Sequence, residues 1–254
     1  GKIKHFAKSS GTTNAKSKFI PISDESLQNC HYKAGKDLLA IYINNHKDSN
    51  LFKFKNLRLG GSAELYESFG TKFGDLSAIL IENLPFWVER TTTPSREVSL
   101  MSEWETKLKA IVSEVKNKDV GSLTGVPSWM MVLLQRVLKD TGKKSISEVW
   151  PNLEVFFHGG ISFVPYREQY KQLIGKDIRY YEIYNASEGF FGIQDRFGSD
   201  EMLLMLDYGI FYEFIPMDTF GTENAKAVSL ENVELGKNYA VVITTNGGLW
   251  RYLI

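Results

Sequence analysis

Near the start of the chain, Ser9-Ser10-Gly11-Thr12-Thr13 carries four hydroxyls around one glycine, and Lys16 and Lys18 follow. Such a loop can wrap a phosphate. Hydroxyls and the backbone N–H groups opened by Gly11 donate, and the two ammonium groups supply charge. A polar surface turn has the same composition. No Gly-Lys-Ser/Thr ends the loop, so it is not a Walker A motif. A second segment, Tyr184-Asn185-Ala186-Ser187-Glu188, falls where a strand should end. Ligands of α/β sheets sit outside the carboxyl ends of strands. If the segment stays extended, Tyr184, Ala186 and Glu188 point to one side. An aromatic plane and a carboxylate there suit a nucleobase and a metal-bound phosphate. A core tyrosine beside a solvated glutamate accounts for them equally well. A third segment, Thr244-Thr245-Asn246-Gly247-Gly248-Leu249-Trp250-Arg251-Tyr252, reads by itself as a hairpin with a cross-strand aromatic.

Other chemistries are missing. The four histidines, His5, His31, His46 and His158, are scattered and form no His-Glu-x-x-His motif. No Gly-x-Ser-x-Gly elbow and no Gly-x-Gly-x-x-Gly fingerprint occurs. The single cysteine, Cys30, allows no intrachain disulfide and no cysteine zinc cage, and it reads as buried filler in a helical stretch. Lys+Arg and Asp+Glu are both 30, which leaves no electrostatic footprint for nucleic acid. No apolar run reaches the ~18 residues of a membrane span. With 254 residues, 43% of them apolar, the composition is that of a folded, soluble, cytoplasmic protein.

The elements that must position these segments alternate at first. Residues 24–43 read as a helix running into a strand, with Asp24 as N-cap and the apolar run 38–43 as the strand. Residues 44–74 are mixed and broken at Gly60-Gly61-Ser62. Residues 102–116 form a helix capped by Ser102, with Glu105 three residues on and Trp104, Leu108, Ile111, Val112 and Val115 in one stripe. Pro127 opens a helix over 128–139, and Gly142 follows its end. A buried strand over 153–157 is cut by His158-Gly159-Gly160. A helix over 165–174 and a strand over 178–184 come next. Two hairpins then follow: 202–207 with 210–215 around Tyr208-Gly209, and 239–245 with 249–254 around Asn246-Gly247-Gly248. The expected fold class is α/β, with layered mixed sheets, flanking helices and a β-rich C-terminal third. The chain opens without Met and closes in mid-strand, so it reads as an internal piece of a longer protein.

Taken in order, the three segments resemble the signature motifs of the Gretchen Hagen family of acyl acid amido synthetases, which belongs to the firefly-luciferase-like adenylate-forming enzymes. Ser9 to Thr13, with Lys18 and Pro21 behind, is similar to the family's phosphate loop. Tyr184-Asn185-Ala186-Ser187-Glu188-Gly189-Phe190-Phe191-Gly192 is similar to its second motif, and Thr244-Thr245 through Tyr252 to the start of its third. His158-Gly159-Gly160 stands where related enzymes have a glycine loop near adenine. The resemblance spans nearly the whole chain. Two features depart from the family. Trp250 stands where Tyr is commoner, and the third motif should continue with Gly-Asp where this sequence ends at Ile254. Family members also carry about a hundred residues before the phosphate loop and a small mobile C-terminal domain. The resemblance therefore implies a partial adenylation domain over 1–254, inactive by itself.

It implies a reaction too: a carboxylic acid and ATP give an acyl-adenylate and pyrophosphate, and an amine such as an amino acid then takes the acyl group. Ser9, Ser10, Thr12 and Thr13 would hold the β- and γ-phosphates, with Gly11 opening the loop and Lys16 or Lys18 adding charge. Glu188 would bind Mg²⁺. Tyr184 would stack on adenine. Asn185, Ala186, Ser187, His158, Gly159, Gly160 and Arg251 would line the nucleotide. The acid pocket is expected between the helix after the phosphate loop and Phe190-Phe191. Trp87, Arg90 and Trp129 are candidates for its wall, or else core residues. Neither nucleic acid nor membrane is an expected partner. A ligase passing the acyl group to a thiol such as coenzyme A, and a non-catalytic nucleotide-binding relative, are the alternatives.

Overall fold

The computed structural model describes residues 3–9, 18–61, 65–248 and 250–254, without the side chain of Trp87. In chain order the strands are β1 His5–Lys8, β2 Phe19–Ile22, β3 Lys55–Leu59, β4 Tyr66–Ser68, β5 Thr71–Gly74, β6 Thr92–Thr93, β7 Val120–Gly125, β8 Val155–Gly159, β9 Arg179–Ala186, β10 Gly189–Ile193, β11 Leu203–Leu204, β12 Ile210–Pro216, β13 Val228–Ser229, β14 Tyr239–Thr245 and β15 Arg251–Leu253. The helices are α1 Asp24–Ser26, α2 Lys33–Asn45, α3 Leu76–Glu82, α4 Phe86–Thr91, α5 Arg96–Ser99, α6 Trp104–Val115, α7 Pro127–Thr141, α8 Ile146–Val149 and α9 Arg167–Ile174.

The strands sort into three sheets. One has the order β2-β1-β5-β4, a second β11-β10-β9-β8-β7-β3-β6, and a third β13-β12-β14-β15. In the second, β6, β3, β7, β8 and β9 run parallel, while β10 and β11 are antiparallel additions. Side-chain alternation divides the interior at this sheet. Leu123 and Phe156 face a core completed by α6 and α7. Val155, Phe157 and Tyr181 face another, completed by α2. Helices thus cover both faces of the parallel strands, as such sheets require. The expected α/β class with a β-rich last third is borne out, and the third sheet is antiparallel throughout. Among the described residues, no helix is long and apolar enough to cross a membrane.

Local signals place several elements. Pro127 is in the first turn of α7, and Gly142 closes it at φ 67°, its N–H donating to the Leu138 carbonyl at 2.9 Å. Met130, Leu133, Leu134 and Val137 form the buried face. Other expectations need correction. The run 38–43 is helical, not a strand. Ala34, Leu38 and Tyr42 recur at four-residue spacing and bury one face of α2, whose helix follows α1 through a π-helical turn over Leu27–Tyr32. Ser23, not Asp24, caps α1, accepting from the Ser26 N–H at 2.9 Å. Glu103, not Ser102, caps α6. Its two carboxylate oxygens take the N–H groups of Glu105 and Thr106 at 2.9 and 2.7 Å. The hairpin expected around Tyr208-Gly209 does not form: β11 pairs with β10, and β12 with β14. Tyr208 is buried and its hydroxyl donates to Asp37, so this turn carries the chain from the second sheet to the third.

Candidate active site

Four parallel strands end on one edge of the second sheet, where Leu59 pairs with Gly125, Gly125 with His158 and His158 with Glu182. Beyond these ends lie Gly60-Gly61, Val126, Gly160 and the second motif. Two glycines make the edge tight. A Cβ on Gly159 would sit 2.4 Å from the Ile183 carbonyl oxygen, and Gly160 holds φ at 83°. The His158 ring faces inward. It is buried, stacked on Phe163 at 4.1 Å, and burial followed by the Arg167 charge lowers its pKa to about 3. Among the described residues its Nδ1 has no hydrogen-bond partner. The expected place of His158 beside the nucleotide fails for its side chain, because strand alternation turns it into the aromatic core.

The second motif is a hairpin turn rather than an extended end. Ala186 pairs with Gly189, and the chain reverses at Ser187-Glu188. Tyr184 still presents a ring to solvent at 44% exposure, propped edge-on against Phe191 at 5.1 Å. Asn185, Ala186, Ser187 and Glu188 are all half-buried. Burial and then the Glu188 charge raise the pKa of the Tyr184 hydroxyl, and the same two causes raise that of Tyr252. Glu188 thus acts on one phenol of its own motif and on one from the third.

The third motif joins the first through β2. Ser23 Oγ donates to the Asn246 carbonyl at 3.4 Å. A Cβ on Gly247 would meet the Pro21 carbonyl oxygen at 2.8 Å, and one on Gly248 the Pro21 Cγ at 3.0 Å. Only glycines let this turn lie against β2. Tyr252 packs both on the core containing Ala7 and Ile20 and on the one containing Phe190. Arg251 is not available to a nucleotide in this arrangement. Its guanidinium grips Glu213 with two bonds, 2.8 and 3.0 Å, on the exposed face of β14–β15 pairing.

Of the expected phosphate loop, Ser9 and Lys18 are described. Ser9 N–H donates to the Lys18 carbonyl at 2.9 Å, and Lys18 N–H to Ser9 Oγ at 3.1 Å. The Ser9 hydroxyl keeps its proton for an outside acceptor. Ser10, Gly11, Thr12, Thr13 and Lys16 lie outside the described residues. Of the candidates for the acid pocket, the Trp87 side chain is also outside them. Arg90 stacks its guanidinium on exposed Phe86 at 4.5 Å. Trp129 does line a cavity, with Gly61, Trp104 and Lys107. Trp104 reads from sequence as one more stripe residue, and Lys107 lies outside that stripe. Nothing in helical periodicity marks either as a cavity wall.

Two family models match this chain: the GH3 family N-terminal domain over residues 1–178 and the GH3 family central domain over residues 203–254. The chain belongs to the GH3 family. It is 33% identical over 116 residues to indole-3-acetic acid-amido synthetase GH3.3 of Arabidopsis thaliana, covering 43% of this chain and 19% of that protein. It is 34% identical over 120 residues to GH3.8 of Oryza sativa subsp. indica, again covering 43% and 19%. A solved GH3.15 acyl acid amido synthetase in complex with 2,4-DB superposes on this GH3 chain with a TM-score of 0.78 at 15% identity, covering 99% of this chain and 52% of that one. A 2-hydroxyisobutyryl-CoA ligase in complex with 2-HIB-AMP and CoA gives 0.55 at 12% identity, covering 96% and 45%. The chain therefore spans about half the length of the GH3.15 structure. The fold is shared with the GH3.15 amido synthetase and with the 2-hydroxyisobutyryl-CoA ligase.

Proposed function

We propose that this GH3 chain forms part of the catalytic body of an ATP-dependent acyl acid amido synthetase. The packing of Tyr252 from the third motif on the core that holds Ala186, Phe190 and Phe191 of the second, with the third motif tied to Ser23 next to β2, is the observation that supports this reading most. In the first step a carboxylate oxygen attacks the α-phosphorus of ATP, and the bond to pyrophosphate breaks. In the second an amine attacks the acyl carbon of the adenylate, gives up a proton, and AMP leaves. The first step gathers negative charge on pyrophosphate and needs preorganised donors there. Ser9, Ser10, Thr12 and Thr13 supply hydroxyls, and Lys16 and Lys18 supply charge. Tyr184 offers its exposed ring to adenine, and the backbone at Gly159-Gly160 lines the nucleotide. Several relatives are amido synthetases of indole-3-acetic acid, a ring-bearing carboxylic acid. The same broad class is our reading for this chain, with an amino acid as the amine. A thiol acceptor is not favoured, since the curated relatives are amido synthetases. Catalysis in the cytoplasm, where thiols stay reduced, accommodates the unpaired Cys30.

Mg²⁺ fits this donor set. Among the described residues no three His, Cys, Asp or Glu side chains could hold a metal ion by themselves. Mg²⁺ needs only one or two carboxylates and completes its shell with phosphate oxygens and water. Glu188 is the carboxylate the motifs offer, and the ion would neutralise the phosphates' growing charge.

The test is ATP–pyrophosphate exchange by the full-length protein. Glu188→Ala should slow exchange about a hundredfold or more, the usual loss of one charge-stabilising group in a closed site. Exchange at the parental rate in this variant overturns the assignment.

A further inference from the structure

Strand β10 breaks its own alternation beside the second motif. Gly189 pairs with Ala186 and Phe190 with Asn185, but Gly192, not Phe191, pairs with Tyr184. Phe191 is the extra residue of a β-bulge. A regular strand sends successive side chains to opposite faces. Here Phe190 and Phe191 both enter the core that contains Tyr208 and Ile243, at 6% and 1% exposure. A bulge draws backbone groups out of the ladder. Phe190 N–H donates to Cys30 Sγ at 3.3 Å, so the π-helical turn over Leu27–Tyr32 holds the bulge from a neighbouring helix.

The register decides what stands across from Tyr184. Directly opposed residues of an antiparallel pair share a face. If the register of Gly189 and Phe190 continued, Phe191 would oppose Tyr184 and lie beside its ring. The bulge shifts the strand by one residue and puts Gly192 there. A Cβ on Gly192 would lie 3.6 Å from Tyr184 Cβ and 3.3 Å from Met202 Sδ, the flexible part of a side chain that can give way. The φ of Gly192 is not positive, so space rather than backbone conformation asks for glycine here. Phe191 instead meets the Tyr184 ring edge-on from the core, at 5.1 Å and 64°. One kink buries a phenylalanine, props the tyrosine and clears the space across from it.

We propose that Gly192 and the bulge before it are a positioning element for a nucleotide base. They keep the space across from Tyr184 open, so that a flat ring can lie on its exposed face. The identity of that ring as adenine rests on the adenylating function proposed above. Stacking needs close approach over the tyrosine ring. A branched side chain at 192 projects from the same face of the sheet and fills that space, as Phe191 does in an unbulged strand.

Calorimetry of ATP binding to the full-length protein, with Mg²⁺ present, tests this. Gly192→Val should weaken binding about tenfold, close to the loss from Tyr184→Ala, since either change removes one base–aromatic stack. The two losses should not multiply. Gly192→Val made in the Tyr184→Ala background should weaken binding by less than about twofold more, whereas an effect of Gly192 on the fold alone would add in full. NMR of the parent supplies a measurement free of any variant. ATP should move the Tyr184 ring-proton signals upfield, as a stacked base does, which decides the matter even if Gly192→Val fails to fold. Unaltered ATP affinity in Gly192→Val, losses that multiply, or Tyr184 signals that ignore ATP overturn the proposal. A tenfold loss in Gly192→Val with no ATP–pyrophosphate exchange in the parent removes the adenylating function and leaves the positioning element standing. Exchange in the parent with unaltered ATP affinity in Gly192→Val removes the positioning element alone.

Discussion

Ser23 and Asn246 stand 223 positions apart, yet Ser23 Oγ donates to the Asn246 carbonyl at 3.4 Å. Ser23 also caps α1, accepting from Ser26 N–H at 2.9 Å. One hydroxyl therefore starts the helix behind the phosphate loop and holds the turn of the third motif. The position of that turn is coupled to the first helix by geometry rather than by sequence proximity.

Gly247 gives this contact its sharpest test. Its missing Cβ would lie 2.8 Å from the Pro21 carbonyl oxygen, a backbone atom that cannot rotate away. Gly247→Ala should destabilise the protein by about 1–3 kcal/mol, the range for overpacking. Gly35→Ala is the matched comparison. Gly35 is exposed on α2, and a Cβ there meets nothing within 4 Å. That change should stabilise by about 0.5–1 kcal/mol. Urea denaturation of the two variants reads both signs in one experiment.

The tyrosines around Glu188 report its charge without any substrate. A carboxylate nearby disfavours phenolate and raises a phenol's pKa. Glu188→Gln removes that charge, so the pKa values of Tyr184 and Tyr252 should both fall. Carbon-13 labelling at tyrosine Cζ and an NMR titration resolve the two. If neither moves, Glu188 is not shared between the second and third motifs.

Acid should weaken the fold through His158. Its folded pKa, about 3, lies below the ordinary 6.5, so the native state holds it neutral while the unfolded chain binds a proton. His31, buried and with a pKa lowered to about 4, acts in the same sense. Their stabilisation is complete above pH 6.5 and is lost as pH falls from there toward 4 and then 3. Each contributes a slope of up to about 1.4 kcal/mol per pH unit. His158→Phe keeps a ring against Phe163 and removes one titrating group. Its urea midpoint should fall less than the parent's between pH 7 and pH 4.5, and equal falls would reject this account.

Arg251 separates the observed arrangement from the motif-based expectation. Its guanidinium is occupied by Glu213 at the surface. Arg251→Met should leave ATP–pyrophosphate exchange within about twofold of the parent, as surface ion pairs contribute little. A loss comparable to that of Glu188→Ala would show that Arg251 leaves Glu213 to reach the nucleotide.

Signals that act within a few residues were legible in the sequence. Pro127 and Gly142 bracket α7 because a missing N–H and a left-handed φ are properties of single residues. Asn246-Gly247-Gly248 marks its hairpin for the same reason, and the three motifs carried the family because each is a short run of particular residue types. Tertiary structure decided the rest. The run 38–43 suits a buried strand or a buried helix equally. It is helical because Ala34, Leu38 and Tyr42 find a sheet face to cover. Tyr208-Gly209 has the composition of a hairpin turn but carries the chain between sheets, since Asp37 anchors Tyr208 from a distant helix. The His158 ring points into the core because strand register, set by β7 and β9, chooses which side chains face inward. Trp104 and Lys107 meet Trp129 only after α6 and α7 have packed on the same sheet face. Contacts across long separations depend on which surfaces bury best together, and no local pattern encodes that choice.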